Sequence, residues 1–371
     1  MNRFQLISSL RIGAALCGTV LFVATGLRAD VSADATTPLP TPTSPTKATP
    51  TASVLKTEET LFFTTLSHGK SVLGRSTADG ACKAFLGDVS QGWLPYLDPK
   101  PSGDDLAAAG APDGSSFVLL TTRGGAANLW LISADGTKRE QLTFDDSGII
   151  DPDDVPRESL AYSPDGKWIA YICRSRAWVI NLADRRARTL GLENGVRGLT
   201  WTSDSQALIV VQGGNLRRIA LNGGEEKVLV ADACEQDDIL WDSKSSSAYY
   251  FAHGASKVDG TGKRTLVFPT PIRNNSLGLS SKGLLALGTT ANGDREIFLT
   301  STNAKNAAST QLTQGGAEAV WASPYSDTVF FLRDRVLWRC DLDGNKAKPL
   351  GASPMSHISL GLLPPLAGGC Q

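Results

Sequence analysis

Residues 160–166 read Leu-Ala-Tyr-Ser-Pro-Asp-Gly, an apolar, small and aromatic segment that ends in a turn. The same seven-residue pattern begins again at residues 199, 239, 277 and 319, and weaker copies begin at residues 108 and 360. After a first step of 52 residues, the starts are separated by 39, 40, 38, 42 and 41 residues. A repeat of about 40 residues is typical of the four-stranded blades of a β-propeller.

A second feature, an Asp-Gly or Asn-Gly dipeptide that favours a tight hairpin turn, recurs between the copies. These dipeptides are Asp79-Gly80, Asp135-Gly136, Asn222-Gly223, Asp259-Gly260 and Asp343-Gly344. The seven copies of the first strand predict an all-β fold, a single seven-bladed β-propeller of four-stranded blades; six or eight blades are the alternatives. No blade follows the last copy, Ile358–Leu366, so we expect the C-terminal strand to complete blade one and close the ring.

The composition supports a folded β-rich chain. Hydrophobic residues make up 41% and charged residues 20% of the 371 residues, which is enough apolar surface for a core. The 37 glycines suit many tight turns. Because 36 Lys and Arg residues are balanced by 37 Asp and Glu residues, the chain has no overall positive field that would attract nucleic acid.

The N-terminus has the features of a secretory signal. Arg3 and Arg11 provide a positive region, and the uncharged run Ile12–Leu27 follows it, with small residues beyond. The run is shorter than the roughly 20 residues of a typical spanning helix. We predict that residues 1–35 are a signal peptide, and an uncleaved membrane anchor is the alternative.

The next segment, residues 36–53, is rich in Thr and Pro and cannot bury a core of its own. It is predicted to be a linker. The propeller domain is then predicted to span residues 54–371.

Three stretches of the repeat resemble a known family. They are Asn128–Thr143, Leu160–Ala170 and Thr290–Leu299, which resemble the TolB-type, WD-like propeller repeat of bacterial envelope proteins. The resemblance covers residues 58–366 and implies a propeller fold in a periplasmic or secreted protein. It is specific for the fold and says little about function, because propellers support many unrelated activities.

No catalytic residue is predicted. The sequence has neither a Gly-x-Ser-x-Gly elbow nor a phosphate-binding Gly-x-x-x-x-Gly-Lys-Ser/Thr run. The repeat places the three histidines, His68, His253 and His357, in two separate blades, so no metal site is predicted. A metal-dependent lyase or hydrolase that uses the central funnel stays open as an alternative, and its candidate carboxylates are Glu158, Asp237 and Glu318.

The strongest candidate site is formed by two long loops that lead into first strands, residues 87–105 and 144–158. Both exceed the usual two to six residues, and long loops on a rigid scaffold are often functional. Aromatic and acidic side chains together would suit a basic peptide, a cationic partner or Ca²⁺. The predicted ligand-binding residues are Trp93, Tyr96, Asp145, Asp146, Asp151, Asp153, Asp154 and Glu158.

The cysteines and tryptophans have structural interpretations. Cys173 and Cys340 fall within predicted strands and are expected to be buried thiols, whereas Cys82 and Cys370 could form a disulfide that closes the ring. Trp201, Trp241 and Trp321 occupy the repeat position of Tyr162, and this regularity predicts packing between blades.

The sequence thus favours an exported, non-catalytic propeller that binds a protein or peptide or another extracytoplasmic ligand. No cofactor is predicted, with Ca²⁺ left open, and nucleic acid is not an expected partner. Contact with a membrane is expected only through an uncleaved N-terminal segment. A membrane-tethered structural module is the second alternative to the binding function.

Overall fold

The computed structural model of the chain describes residues 57–67, 69–81, 83–85, 103–151, 155, 159–190, 195–224, 226–231, 239–252, 254–268, 276–302, 308–351 and 355–365. The predicted signal peptide and linker, residues 1–53, lie outside these described residues. All regular secondary structure in the described part is β-strand. Within it, no helix has the length and apolar character required to cross a bilayer.

The described residues contain these strands in chain order: β1 (Glu58–Ser67), β2 (Lys70–Thr77), β3 (Lys83–Phe85), β4 (Asp105–Gly110), β5 (Ser116–Thr121), β6 (Asn128–Ser133), β7 (Arg139–Gln141), β8 (Leu160–Tyr162), β9 (Trp168–Cys173), β10 (Arg176–Asn181), β11 (Ala187–Thr189), β12 (Val196–Trp201), β13 (Ala207–Gln212), β14 (Asn215–Ala220), β15 (Glu226–Val230), β16 (Ile239–Asp242), β17 (Ser247–Phe251), β18 (Ala255–Asp259), β19 (Arg264–Phe268), β20 (Leu277–Leu279), β21 (Leu284–Thr289), β22 (Arg295–Thr300), β23 (Ser309–Gln311), β24 (Ala319–Ala322), β25 (Thr328–Arg333), β26 (Val336–Asp341), β27 (Lys348–Pro349) and β28 (Met355–Leu363).

These strands form seven four-stranded antiparallel sheets, and each sheet is one blade. Blade one has the order β28-β1-β2-β3, and the next six blades follow the chain as β4–β7, β8–β11, β12–β15, β16–β19, β20–β23 and β24–β27. The first strands β28, β4, β8, β12, β16, β20 and β24 contact one another in this order and form the inner wall of the ring. The prediction of seven blades closed by the C-terminal strand is confirmed.

The second strand of each blade is the most apolar because neighbouring blades cover both of its faces. In β13, all six residues from Ala207 to Gln212 are buried. In β5, the five residues after Ser116 are buried. A continuous apolar run, rather than an alternating one, is expected for a strand that is covered on both sides.

In blades three and four, the aromatic residue that ends the first strand contacts the preceding blade. Trp201 Nε1 donates to the carbonyl of Ala161 in blade three at 3.2 Å. Tyr162 Oη lies 3.2 Å from Ser116 Oγ of blade two. Both rings are buried, which confirms the predicted packing between blades for Tyr162 and Trp201. Trp241 and Trp321 are partly buried against core clusters.

The ring closes where β28 pairs with β1, from Glu58 opposite Leu363 to Phe63 opposite Ile358. At the same junction the inner strands of blades one and two approach very closely. A Cβ on Gly361 would lie 3.2 Å from Gly110 Cα, so only glycine fits there without displacement. Ser359 Oγ adds a 2.6 Å hydrogen bond to the carbonyl of Ala108.

A buried arginine holds the end of the closing strand. Arg75 is 3% exposed, and its Nη2 donates to the carbonyl of Pro364 at 2.7 Å. Burial lowers the pKa of Arg75 to about 10, and the nearby Glu58 carboxylate opposes this shift. Arg75 is still charged at neutral pH, so its hydrogen bond to the Pro364 carbonyl, one residue after β28, is charge-assisted.

The turns between third and fourth strands follow the predicted Asp-Gly pattern with one difference. Gly80, Gly136, Gly223 and Gly344 all have φ between 74° and 77°. In blade five, however, the left-handed residue is Gly262, with φ of 92°, and not Gly260. The turn is longer because Asp259 accepts hydrogen bonds from the backbone N–H groups of Thr261 and Lys263.

Cys173 and Cys340 are buried free thiols, as the sequence predicts. Burial raises the pKa of Cys340 to about 11, and it also raises the pKa of Cys173. Both thiols are therefore protonated at neutral pH and act as small apolar side chains. The possible disulfide pair, Cys82 and Cys370, lies outside the described residues.

Ring closure can be tested at Leu363, which is fully buried in the closing strand. Leu363→Ala removes buried methyl groups at the blade-one junction and should lower the free energy of unfolding by about 2–5 kcal/mol. Leu66→Ala is the matched control, because Leu66 is on the paired strand β1 but is 71% exposed. It should change stability by less than about 0.5 kcal/mol. Chemical unfolding measures both values, and equal effects would contradict the role of this strand.

Candidate functional site

The last strand of each blade ends, and the first strand of the next begins, at one end of the ring. Because strands within a blade are antiparallel, the turn between the second and third strands and the connection to the next blade emerge at the same end of each sheet. We call this end the loop face. The described residues of the two loops that the sequence selects, 103–105 and 144–151, lie at this end.

The first loop is described only at its end, Gly103–Asp105, so the predicted contacts Trp93 and Tyr96 lie outside the described residues. Asp105 is fully buried and forms an ion pair with Arg123, with distances of 2.8 Å from Nε to Oδ1 and 2.5 Å from Nη2 to Oδ2. It also accepts hydrogen bonds from Leu73 N at 2.9 Å and Thr121 Oγ1 at 2.8 Å. The carboxylate of Asp105 therefore connects blade one to blade two.

The neighbouring carboxylate, Asp104, extends the same connection toward the surface. Its Oδ1 accepts from Ser71 N at 2.8 Å, and its Oδ2 forms an ion pair with Lys70 at 3.2 Å. The backbone N–H of Asp104 donates to Thr122 Oγ1 at 2.7 Å. This end of the first loop is a fixed structural element, and its two carboxylates are already engaged.

The buried pair predicts a large difference between two substitutions at this junction. Asp105→Asn removes the carboxylate charge from the buried pair with Arg123, and we expect a loss of about 3–5 kcal/mol in the free energy of unfolding. Lys70→Ala removes only the partly exposed pair with Asp104 and should cost less than about 1 kcal/mol. Equilibrium denaturation of both variants measures the contrast. A small effect of Asp105→Asn would show that the pair does not join the blades.

The second loop begins with a hydrogen-bonded threonine in the segment Gln141-Leu142-Thr143. Thr143 Oγ1 donates to Asn128 Oδ1 at 2.8 Å and accepts from Leu129 N at 2.9 Å. Gln141 Nε2 donates to the Thr143 carbonyl at 2.7 Å. Asn128 Nδ2 then donates to the carbonyl of Asp145 at 3.0 Å. These hydrogen bonds fix the backbone at the start of the loop.

Asp145 is held by the next blade. Arg174, in the turn between β9 and β10, places Nη2 at 2.9 Å from Oδ1 and 2.8 Å from Oδ2 of Asp145. Oδ1 also accepts from Ser147 N at 3.0 Å. Asp145 is therefore positioned within an ion pair whose arginine side chain is 63% exposed.

The loop is also anchored through its backbone. Ile149 is 3% exposed, and its N–H donates to the carbonyl of Ala127 at 2.8 Å. Its carbonyl accepts from Arg174 N at 3.0 Å. Gly148, with φ of 81°, passes so close to Ala127 that a Cβ would lie 3.1 Å from the Ala127 nitrogen. Residues 144–149 are therefore a rigid part of the loop face.

The predicted acidic residues have different environments. Asp146 and Asp151 are exposed on the loop face, whereas Asp145 is partly buried in its ion pair. Asp153, Asp154 and Glu158 lie outside the described residues, so their assignment stays a prediction. Among the funnel candidates, Glu318 is exposed, and Asp237 is outside the described part.

Phe144 is a residue that the sequence analysis did not single out. Its side chain is 78% exposed, although it directly precedes the anchored turn. The second copy of the same motif, Gln311-Leu312-Thr313, is followed by Gln314. Comparison of the two copies identifies Phe144 as a candidate contact residue, because the motif does not need a phenylalanine at this position.

The second copy has the same local structure, which makes this comparison valid. Thr313 Oγ1 donates to Glu296 Oε2 at 2.6 Å and accepts from Ile297 N at 2.9 Å. Gln311 Nε2 donates to the Thr313 carbonyl at 2.7 Å. Glu296 thus replaces Asn128 in an otherwise equivalent arrangement.

The described residues contain no group of three or more His, Cys, Asp or Glu side chains that could hold a metal ion. His68 and His253, and the side chain of His357, lie outside the described part. The site is therefore characterised by an exposed aromatic ring, exposed carboxylates and one exposed arginine. Such groups suit non-covalent recognition.

Comparisons with known proteins identify the fold. No family model matches the sequence, and no curated protein matches it. Among solved structures, TolB from Acinetobacter baumannii aligns with a TM-score of 0.50 at 14% identity over 82% of this chain. The alignment spans 66% of the TolB chain, which is just under two thirds of its length.

Other solved structures align equally well. An oligogalacturonate lyase from Vibrio parahaemolyticus has a TM-score of 0.51 at 10% identity, over 80% of this chain and 86% of the lyase. A protein of unknown function from Desulfotomaculum acetoxidans has a TM-score of 0.55 at 10% identity, over 82% of this chain and 99% of its own. At these identities the similarity shows a shared fold alone.

The chain is therefore a seven-bladed β-propeller with one elaborated loop face. It shares the propeller fold of TolB, as the resemblance of its repeats implies.

Proposed function

We propose that this protein is an exported, non-catalytic propeller that binds a protein or peptide partner through its loop face. The observation that carries the proposal is the exposed Phe144 ring on an anchored backbone, at a position where the equivalent motif has Gln314. A rigid aromatic side chain loses little conformational entropy on binding and buries a large apolar area. Such residues are typical binding hot spots.

The charges around Phe144 favour a partner with basic side chains. Asp146 and Asp151 are exposed nearby in the sequence, and the Asp145 carboxylate reduces the effect of Arg174. A Lys or Arg side chain of a partner can contact both an aromatic face and a carboxylate. The predicted residues Trp93, Tyr96, Asp153, Asp154 and Glu158 would enlarge the same surface. The proposal needs no cofactor.

Phe144→Ala tests the binding surface, and Gln314→Ala, at the equivalent position of blade six, is the matched control. We expect Phe144→Ala to weaken binding to Lys/Arg-rich peptides at least tenfold, because it removes the apolar contact that anchors the complex. Gln314→Ala should stay within about twofold of the unsubstituted chain. Fluorescence polarisation with labelled peptides measures both affinities.

The affinity should not change when EDTA is added, since carboxylates alone attract the basic peptide. Equal weakening by both variants, or no binding of any basic peptide, would contradict the proposed surface. Binding that requires Ca²⁺ would instead support the alternative in which the acidic loop holds a cation.

The export part of the proposal rests on residues 1–35 and is tested separately. In a bacterial host, the full chain should appear in the periplasm with its N-terminal segment removed, as measured by intact mass. Leu16→Arg combined with Leu21→Arg places charges in the apolar run and should retain the chain in the cytoplasm. A full-length form in the membrane fraction would support the uncleaved anchor, and cytoplasmic unsubstituted chain would contradict export.

A further inference from the structure

A cavity of about 450 Å³ opens on blade seven at the turn between β25 and β26. Its floor is apolar and includes Val336, Trp338, Pro349 and Leu350. Arg333, Asp334 and Gly351 complete the lining. The volume is within the range of small-ligand sites, roughly 300–1,000 Å³. None of these residues belongs to the surface around Phe144.

Arg333 is held in place at this cavity. Its guanidinium carbon lies 4.8 Å from the ring centre of Trp338 and 5.2 Å from that of Phe331. Nε donates to the carbonyl of Gly316 and Nη2 to that of Gln314, each at 2.8 Å. These contacts fix the plane of the guanidinium.

Among the residues that the structure describes, no carboxylate forms a direct ion pair with Arg333. Its polar partners among the described residues are two neutral carbonyls, and a guanidinium has five N–H donors in all. No hydrogen-bond partner of Nη1 is present among the described residues, and Nη1 lies beside Gly315, where a Cβ would be 3.7 Å from it. The cavity therefore combines an apolar floor with a fixed cation that has N–H donors left.

The turn beside the cavity keeps side chains at a conformational cost. Asp334 and Arg335 have φ of 51° and 59°, in the left-handed region that disfavours residues other than glycine. Blade four has Gly213-Gly214 at the equivalent hairpin, with φ of 55° and 80°. Blade three has Arg174 and Ser175 at this hairpin, with φ of 48° and 59°, so the turn accepts glycine or other residues and does not itself require Asp334.

We propose that this cavity binds the carboxyl terminus of a peptide whose last residue has a large apolar side chain. The apolar side chain packs on Trp338, Val336 and Pro349, and the terminal carboxylate accepts N–H groups of Arg333 in a charge-assisted hydrogen bond. Asp334 disfavours a second negative charge beside the terminus. The preferred peptide therefore has a Lys or Arg one or two residues before its apolar last residue.

The probe is a labelled hexapeptide, Gly-Ser-Gly-Lys-Ala-Phe, with either a free or an amidated carboxyl terminus. Fluorescence polarisation with the full chain should show at least tenfold tighter binding of the free acid. Val336→Glu places a negative charge in the cavity and should weaken binding of the free-acid peptide at least tenfold. Circular dichroism of this variant checks that the propeller remains folded.

Asp334→Gly is the second variant, because it removes the negative charge and relaxes the turn. It should raise the melting temperature slightly and weaken binding of this Lys-containing free acid by about two- to fivefold, because the peptide lysine loses its counter-charge. Phe144→Ala should leave this affinity unchanged, which separates the site from the proposed basic-peptide surface. Equal affinity for acid and amide, or insensitivity to Val336→Glu, would overturn the proposal. Equally tight binding of free phenylpropionic acid would also overturn it, in favour of a small-molecule site.

Discussion

The pairing of the last strand with the first is the interaction on which the whole ring depends. Each blade buries its faces against two neighbours, so a gap at β28 would expose inner faces of blades one and two and leave the backbone groups of β1 unpaired. The contact between Gly110 and Gly361 and the hydrogen bond from Arg75 to Pro364 reinforce this junction. The stability of every other blade is therefore linked to the two chain ends.

Arginines in the turns between second and third strands perform a related task on the loop face. Arg174 fixes the Asp145 carboxylate of the preceding loop, and Arg333 fixes two carbonyls of the loop before blade seven. In each case a blade holds the connection that leads into it. These contacts explain how the loop face can be rigid without regular secondary structure. They also explain why charged residues occur in the turns between second and third strands.

Sequence periodicity was sufficient for the blade count and the closing strand, because both depend on the spacing of apolar and turn residues. The site was less predictable. The pairing of Asp145 with Arg174 joins two blades and leaves no local pattern, and the cavity beside Arg333 depends on side-chain packing. Phe144 could have been found from the sequence, because the second Gln-Leu-Thr motif has glutamine where the first has phenylalanine.

Closure by the C-terminal strand also has a consequence for the timing of folding. Blade one contains β1–β3 from the start of the domain but takes its inner strand from residues 355–363. The ring cannot close until nearly the whole chain has been synthesised, and contacts of such long sequence separation form slowly. During this interval the apolar strands of the unfinished ring stay exposed, so the nascent chain is most prone to aggregation just before its last strand arrives.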